Sequence, residues 1–221
     1  MLRVMSAILW KDVRIELRTK EIFSSSFLFA LLVLVVFNFT LFLTPQEAIR
    51  LGPGFLWISF TFAGLLALNR SFALEKEENC THGLLASPAD KGALYLGKLL
   101  ANTLFMLAVE LVLLPLFAVF FNIPLGKHPL LLLATLFLGS VGFSSVGTVF
   151  SAMAAGTRMR EVMLPVLLLP VSIPIVIAAV ETTAYSLGSG PRPDFWIRLM
   201  VAYDVVFVTS SFLVFGFLLE E

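Results

Sequence analysis

The stretch Glu75-Lys76-Glu77-Glu78-Asn79-Cys80-Thr81-His82-Gly83-Leu84-Leu85-Ala86-Ser87-Pro88 is polar, and it interrupts an otherwise apolar chain. Glu75, Lys76, Glu77, Glu78, His82 and, just beyond, Asp90 are ionisable or carry an imidazole. Apolar segments long enough to cross a bilayer lie on both sides of it. In hydrocarbon each unpaired polar group costs several kcal/mol, so the stretch must project into water between two membrane helices. This placement predicts an all-α integral membrane protein in which the stretch is a docking element pushed by a motor protein.

The rest of the composition agrees. Of 221 residues, 59% are hydrophobic and 14% charged, against about 25% charged in an average soluble domain. With 22 phenylalanines and a mean hydropathy of +0.97, most of the chain reads as membrane-embedded. The formal net charge is zero, and no nucleic acid is expected as a partner. The single cysteine, Cys80, excludes an internal disulfide, a cysteine-based metal cluster and a C-x-x-C-H heme attachment. The first apolar run begins at Ile22, behind a charged segment, and lacks a small-residue cleavage pattern, so no signal peptide is expected.

Outward from the polar stretch, one transmembrane domain over 1–221 is expected, with an amphipathic helix over 3–20 and six spans. In the helix Met5, Leu9, Val13 and Leu17 form an apolar stripe with Trp10 beside it, while Arg3, Lys11, Arg14 and Arg18 share another arc. Such a helix lies in the membrane interface. The spans are expected at about 22–43, 54–74, 99–121, 129–154, 162–187 and 198–219, each near the ~20 residues that cross ~30 Å of hydrocarbon. Thr44-Pro45 is read as the end of the first and Gly52-Pro53-Gly54 as the entry to the second. A cytoplasmic coupling loop fills 75–98, in which Ser87-Pro88-Ala89-Asp90 reads as a helix start. Prolines 165, 170 and 174 in the fifth span suggest kinks.

Lys and Arg set the orientation. With both termini on one side, that side receives Arg3, Lys11, Arg14, Arg18, Lys20, Arg70, Lys76, Lys91, Lys98, Arg158 and Arg160. The other side holds only Arg50, Lys127, Arg192 and Arg198. The positive-inside rule then places both termini and the polar loop in the cytoplasm.

Three apparent motifs dissolve on inspection. Gly92 to Leu99 fits GxxxxGK, but Leu99 stands where Ser or Thr should bind magnesium, and no strand precedes it. The chain is therefore expected to carry no ATPase and to be no enzyme. Asn79-Cys80-Thr81 fits a glycosylation sequon on the cytoplasmic side. Gly142 to Gly147 only approaches a serine-hydrolase elbow, and both histidines fall in loops. In the fourth span Ser140, Ser144, Thr148 and Ala152 recur every fourth residue, the spacing that lets membrane helices approach closely.

Intramembrane carboxylates draw functional suspicion. They are Glu110 near the middle of the third span, Glu181 near the outer end of the fifth, and Asp204 in the outer third of the sixth. No Lys or Arg matches Glu110 in depth. It is expected to be protonated or bonded to groups such as Asn38 or Thr103, in a packing or interface role. His128, expected outside, and His82, expected inside, could each ligate an iron, but a loop histidine is far more often a solvated side chain. A metal site is not expected.

From Glu75 to Pro88, an acidic run is followed by a short Thr-x-Gly-Leu-Leu helix and Ser-Pro. This resembles the coupling segment of ABC-2 type exporter permeases and, more closely, the heme exporter protein B (CcmB) family of cytochrome c maturation. Leu17-Arg18-Thr19-Lys20-Glu21-Ile22, Gly52-Pro53-Gly54-Phe55-Leu56-Trp57 and Leu65-Leu66-Ala67-Leu68-Asn69-Arg70 carry the likeness. So do Gly156-Thr157-Arg158 and Leu167 to Pro174. Asn69 departs from the pattern, which has an acidic residue before the arginine. The resemblance implies a bacterial inner-membrane permease subunit that works as a homodimer with a separate ATP-binding ATPase subunit. It also implies heme-handling membrane subunits and an extracytoplasmic heme chaperone. Glu75, Glu77, Glu78, Thr81, Gly83, Leu84, Leu85 and Pro88 are then the residues expected to couple to the ATPase. Heme as cargo and ATP-driven release of the heme-loaded chaperone both fit. An exporter of another substrate, a gradient-driven transporter using Glu110 and a non-transporting scaffold remain as alternatives.

Overall fold

The computed structural model describes residues 1–77, 91–125, 127–155, 157 and 159–218, with backbone alone for 72–77, 160, 217 and 218. Among these residues the chain forms helices only: α1 (Leu2–Thr19), α2 (Glu21–Thr40), α3 (Pro45–Glu77), α4 (Lys91–Phe121), α5 (Pro129–Ala155), α6 (Arg160–Ser186) and α7 (Asp194–Leu218). The last six are long and apolar enough to cross a membrane. This is the expected architecture, with α1 as the additional N-terminal helix.

The helix ends follow local chemistry. Lys20 is the one-residue joint between α1 and α2, in the left-handed region at φ 55°. α3 starts earlier than expected, at Pro45. Thr44 and Glu47 form a capping box: the Thr44 hydroxyl and N–H donate to Glu47 Oε2 at 2.7 and 2.9 Å. Proline at the first helical position has no amide proton to orphan. Gly52-Pro53-Gly54 is therefore inside α3 rather than before it. A Cβ on Gly52 would stand 2.9 Å from the Phe117 ring, so the glycine serves close packing on α4. Asn122, at φ 51°, ends α4, and the Ile123 N–H reaches back to the Ala118 carbonyl at 3.0 Å. α6 runs as one helix through Pro165, Pro170 and Pro174.

α5 is the central helix, packed by α3, α4, α6 and α7. It can sit there because its glycines admit large neighbours. Gly139 lies under the Trp57 ring and Gly147 under Leu68, each too close to admit a Cβ. Trp57, 2% exposed, donates its indole N–H to Thr183 Oγ1 at 2.9 Å, tying α3 to α6. α2 lies at the edge and turns Leu28, Leu32, Val36 and Phe39 outward, as a lipid-facing helix should. At 1.5 Å per residue α3 and α4 are about 50 and 46 Å long, well beyond the ~30 Å hydrocarbon core. Their apolar windows place the excess of α3 at the end that leads into the polar segment.

Candidate functional site

In sequence the polar segment joins two helix ends, Glu77 of α3 and Lys91 of α4. Glu75 and Glu77 close the last turn of α3. Glu78, Thr81, Gly83, Leu84, Leu85 and Pro88 lie outside the described residues, as do Cys80, His82 and the expected helix start at Ser87-Pro88. What the structure shows in detail is how the two roots are held.

The α4 root is held by α1. Lys98, only 1% exposed, places Nζ 2.9 Å from Asp12 Oδ2, and Lys11 lies 3.2 Å from the other oxygen of Asp12. One turn away the helices nearly touch: a Cβ on Gly97 would stand 2.9 Å from Ile8 Cβ and 3.1 Å from the Met5 carbonyl. Ile8 packs in a satellite core with Leu94, Tyr95, Leu99, Val149 and Phe215. The Lys91 ammonium donates to the Gly216 carbonyl of α7 at 3.4 Å. The segment resembling a phosphate loop is thus continuous helix, with Gly92 against Phe212, Gly97 against Ile8 and Lys98 on Asp12.

This corrects the expected face of α1. Its protein side is Ile8, Asp12 and Glu16, with Met5 and Leu9 flanking, whereas Leu17 is 69% and Trp10 66% exposed. At 100° per residue Leu2, Trp10, Val13 and Leu17 share one arc, and Arg3, Lys11, Arg14 and Arg18 the next. The helix therefore has three faces, one to protein, one apolar and one basic. The buried face carries two acids because each has a partner. Glu16, 6% exposed, accepts the Phe23 N–H through Oε1 at 2.7 Å, one of the orphan donors at the start of α2. At the other root, Arg70 of α3 pairs with Glu21 at the start of α2. Two of the stretches that carried the sequence resemblance thus meet here. The acid facing Arg70 comes from α2 and not from its own neighbour, where the chain has Asn69.

Deeper in the bundle, α4 and α5 are joined by a polar ladder. Glu110, Met106 and Asn102, four apart on α4, face Ser140, Ser144 and Thr148, four apart on α5. The Ser140 hydroxyl lies 2.8 Å from both oxygens of the fully buried Glu110 carboxyl. Ser144 Oγ is 4.0 Å from Met106 Sδ, and Asn102 Nδ2 donates to Thr148 Oγ1 at 3.0 Å. Tyr95 extends the ladder by donating to the Ser145 carbonyl at 3.3 Å. Glu110 is bonded by neither expected group: Asn38 donates to the Phe120 carbonyl at 2.6 Å, and Thr103 Oγ1 has no partner among the described residues. Small residues every fourth position are what allow the approach; their hydroxyls then supply the partners.

Asp204 lies on the opposite side of α5. A Cβ on Gly142 would stand 2.5 Å from its Oδ1, and neither carboxyl oxygen has a hydrogen-bond partner among the described residues. It sits about 15 Å along α7 from Asp194, nearer the middle than the expected outer third. Glu181 is half-buried in the C-terminal part of α6. His128 is exposed and stacks on Tyr185, with ring centroids 5.4 Å apart and planes 7° apart. The structure brings Glu110 together with α5 and leaves Asp204 on the other side of that helix, while Glu181 lies one turn from Tyr185, on which His128 stacks.

Sequence reasoning missed Asp12, Glu16 and Lys98. The available signal was Ile8, Asp12 and Glu16 at i, i+4, i+8: a line of one apolar and two acidic residues in an otherwise basic helix.

Residues 3–218 match the family model described as "CcmB protein". The heme exporter protein B of Pseudomonas aeruginosa is 30% identical over 204 residues, 91% of each chain. That of Rhodobacter capsulatus is 30% identical over 177 residues, 80% of this chain and 81% of the relative. That of Escherichia coli K12 is 29% identical over 97 residues, 42% and 44% of the two chains.

Proposed function

This chain belongs to the CcmB family, and from that premise we propose that it is the permease subunit of an ABC transporter for cytochrome c maturation. It has no nucleotide site of its own in this reading. A separate ATPase subunit docks on residues 75–88 and couples ATP hydrolysis to heme export, or to release of a heme-loaded extracytoplasmic chaperone. The single observation that carries the reading is the family match over nearly the whole chain. The geometry supports it, because α3 and α4 both outrun the hydrocarbon and carry the charged segment between their ends.

The remaining parts follow the same logic. The protein sits in the bacterial inner membrane with both termini cytoplasmic, on the eleven-to-four distribution of Lys and Arg. It acts as a homodimer, since a second copy doubles six helices to twelve around a shared two-fold interface. Heme-handling membrane subunits complete the complex. Glu110 belongs to the packing of α4 on α5, because Ser140 satisfies both its oxygens.

The test uses Cys80, the chain's own cysteine. A membrane-impermeant thiol reagent should label it in inverted vesicles and not in intact cells, and bound ATPase should protect it. Labelling from outside intact cells would overturn the topology. ATP-independent maturation by the purified complex would overturn the coupling.

A further inference from the structure

The roots of the docking segment are joined by a second route that does not pass through the segment. Residues 78–90 link the end of α3 to the start of α4. Lys98 and Gly97 fasten the start of α4 to Asp12 and Ile8 of α1. Glu16 fastens the end of α1 to the start of α2, across a one-residue joint at Lys20. Glu21 at the start of α2 pairs with Arg70 near the end of α3. These contacts close a ring.

We infer that Lys98, Asp12 and Glu16 are positioning residues that make α1 a rigid strut, delivering displacement of the docking segment sideways to α2. The inference rests on the docking reading above. Three observations support the strut. Lys98 is almost wholly buried, so its long side chain is held in one conformation. The backbones meet at Gly97 and Met5, and so close an interface moves as a unit or jumps between packings; it does not bend gradually. Leu2, Trp10 and Leu17 face away from the protein, next to the basic arc, which keeps α1 in the plane of the membrane surface. A push on α4 then moves α1 along that plane, and Glu16 hands the motion to the first turn of α2.

The test uses the full chain purified from membranes with its ATPase. Lys98→Met should insert at the parental level, because Lys11 still neutralises Asp12. It should retain the ATPase and hydrolyse ATP, yet lower cytochrome c maturation about tenfold, within the range that coupling residues reach. Lys98→Arg should restore maturation. In oxidised membranes, Ile8→Cys with Gly97→Cys reads the α1–α4 contact, and its crosslinking yield should be the same with and without ATP. A yield that falls on adding ATP would overturn the strut, since α1 would then leave α4 during the cycle. So would a loss of maturation that only tracks a loss of inserted chain. Failure of the parental chain itself to retain the ATPase would overturn the docking reading, and the strut with it.

Discussion

α4 is gripped at two levels, and the grips differ in kind. At the membrane surface Lys98 meets Asp12 as an ion pair, with Arg70 and Glu21 paired nearby. In the middle of the bundle the same helix meets α5 through hydroxyls, an amide and one carboxyl, with no cation near Glu110 among the described residues. Pairing explains the contrast. Lys98 is nearly as buried as Glu110, but Asp12 offsets the cost of burying its charge, whereas Glu110 meets a hydroxyl and no cation among the described residues. The surface grip suits a part that transmits force; the central grip suits a part that stays packed.

Four groups of variants would break or sharpen that contrast. The largest effect is expected at the surface, on the docking segment itself. Two leucines buried in an ATPase groove contribute about 1.5–3 kcal/mol each. Leu84→Asp with Leu85→Asp should therefore abolish co-purification of the ATPase while the chain inserts normally. Normal co-purification would show that the segment docks by charge and not by packing.

In the centre, Gly139→Leu should come next. Its Cβ alone would collide with the Trp57 ring, which is locked by Thr183. Overpacking of this kind costs about 1–3 kcal/mol. The amount of folded chain extracted in mild detergent should fall; an unchanged amount would show that α3 and α5 are less tightly seated than their glycines imply.

A finer test separates hydrogen bonding from charge at Glu110. Glu110→Gln keeps volume and a partner for Ser140, so maturation should stay near parental. Glu110→Leu strands the Ser140 hydroxyl at about 1–3 kcal/mol and should lower thermal stability. Complete loss of maturation in the Gln variant, with normal insertion, would make Glu110 an energy-coupling acid and reverse the assignment of roles between the two levels.

The smallest effects are expected from removing single charges. Arg70 and Glu21 are both about half exposed, so Arg70→Ala should change stability by about 0–1 kcal/mol. Glu77→Gln with Glu78→Gln should weaken ATPase retention only mildly. A large loss from either, read by melting temperature and by pull-down, would mean that surface electrostatics outweighs packing at this rim.

Much of the architecture was legible because it depends on length and hydropathy, which are local. Six apolar runs are spans wherever they fold, and a charged stretch between two of them is in water wherever the helices pack. The likeness to the CcmB family was likewise readable in short stretches such as Leu17 to Ile22 and Leu65 to Arg70. α3 begins ahead of the expected Gly54 for an equally local reason: Gly52-Pro53-Gly54 is a strong breaker signal, but the Thr44–Glu47 cap starts the helix at Pro45.

The faces and partners are a different matter. Sequence showed that α1 is amphipathic, but only tertiary contact shows that Ile8, Asp12 and Glu16 form its protein side. It showed that Glu110 needs a partner, but Ser140 is 30 residues away and was one hydroxyl among many. It marked Lys98 as a basic charge for topology, while the structure buries that charge on Asp12. By itself the sequence determined which segments enter the membrane, because the cost of a polar group in hydrocarbon is paid residue by residue. Tertiary structure decided which polar groups meet, because a hydrogen bond or ion pair exists only where two distant backbones are brought within about 3 Å.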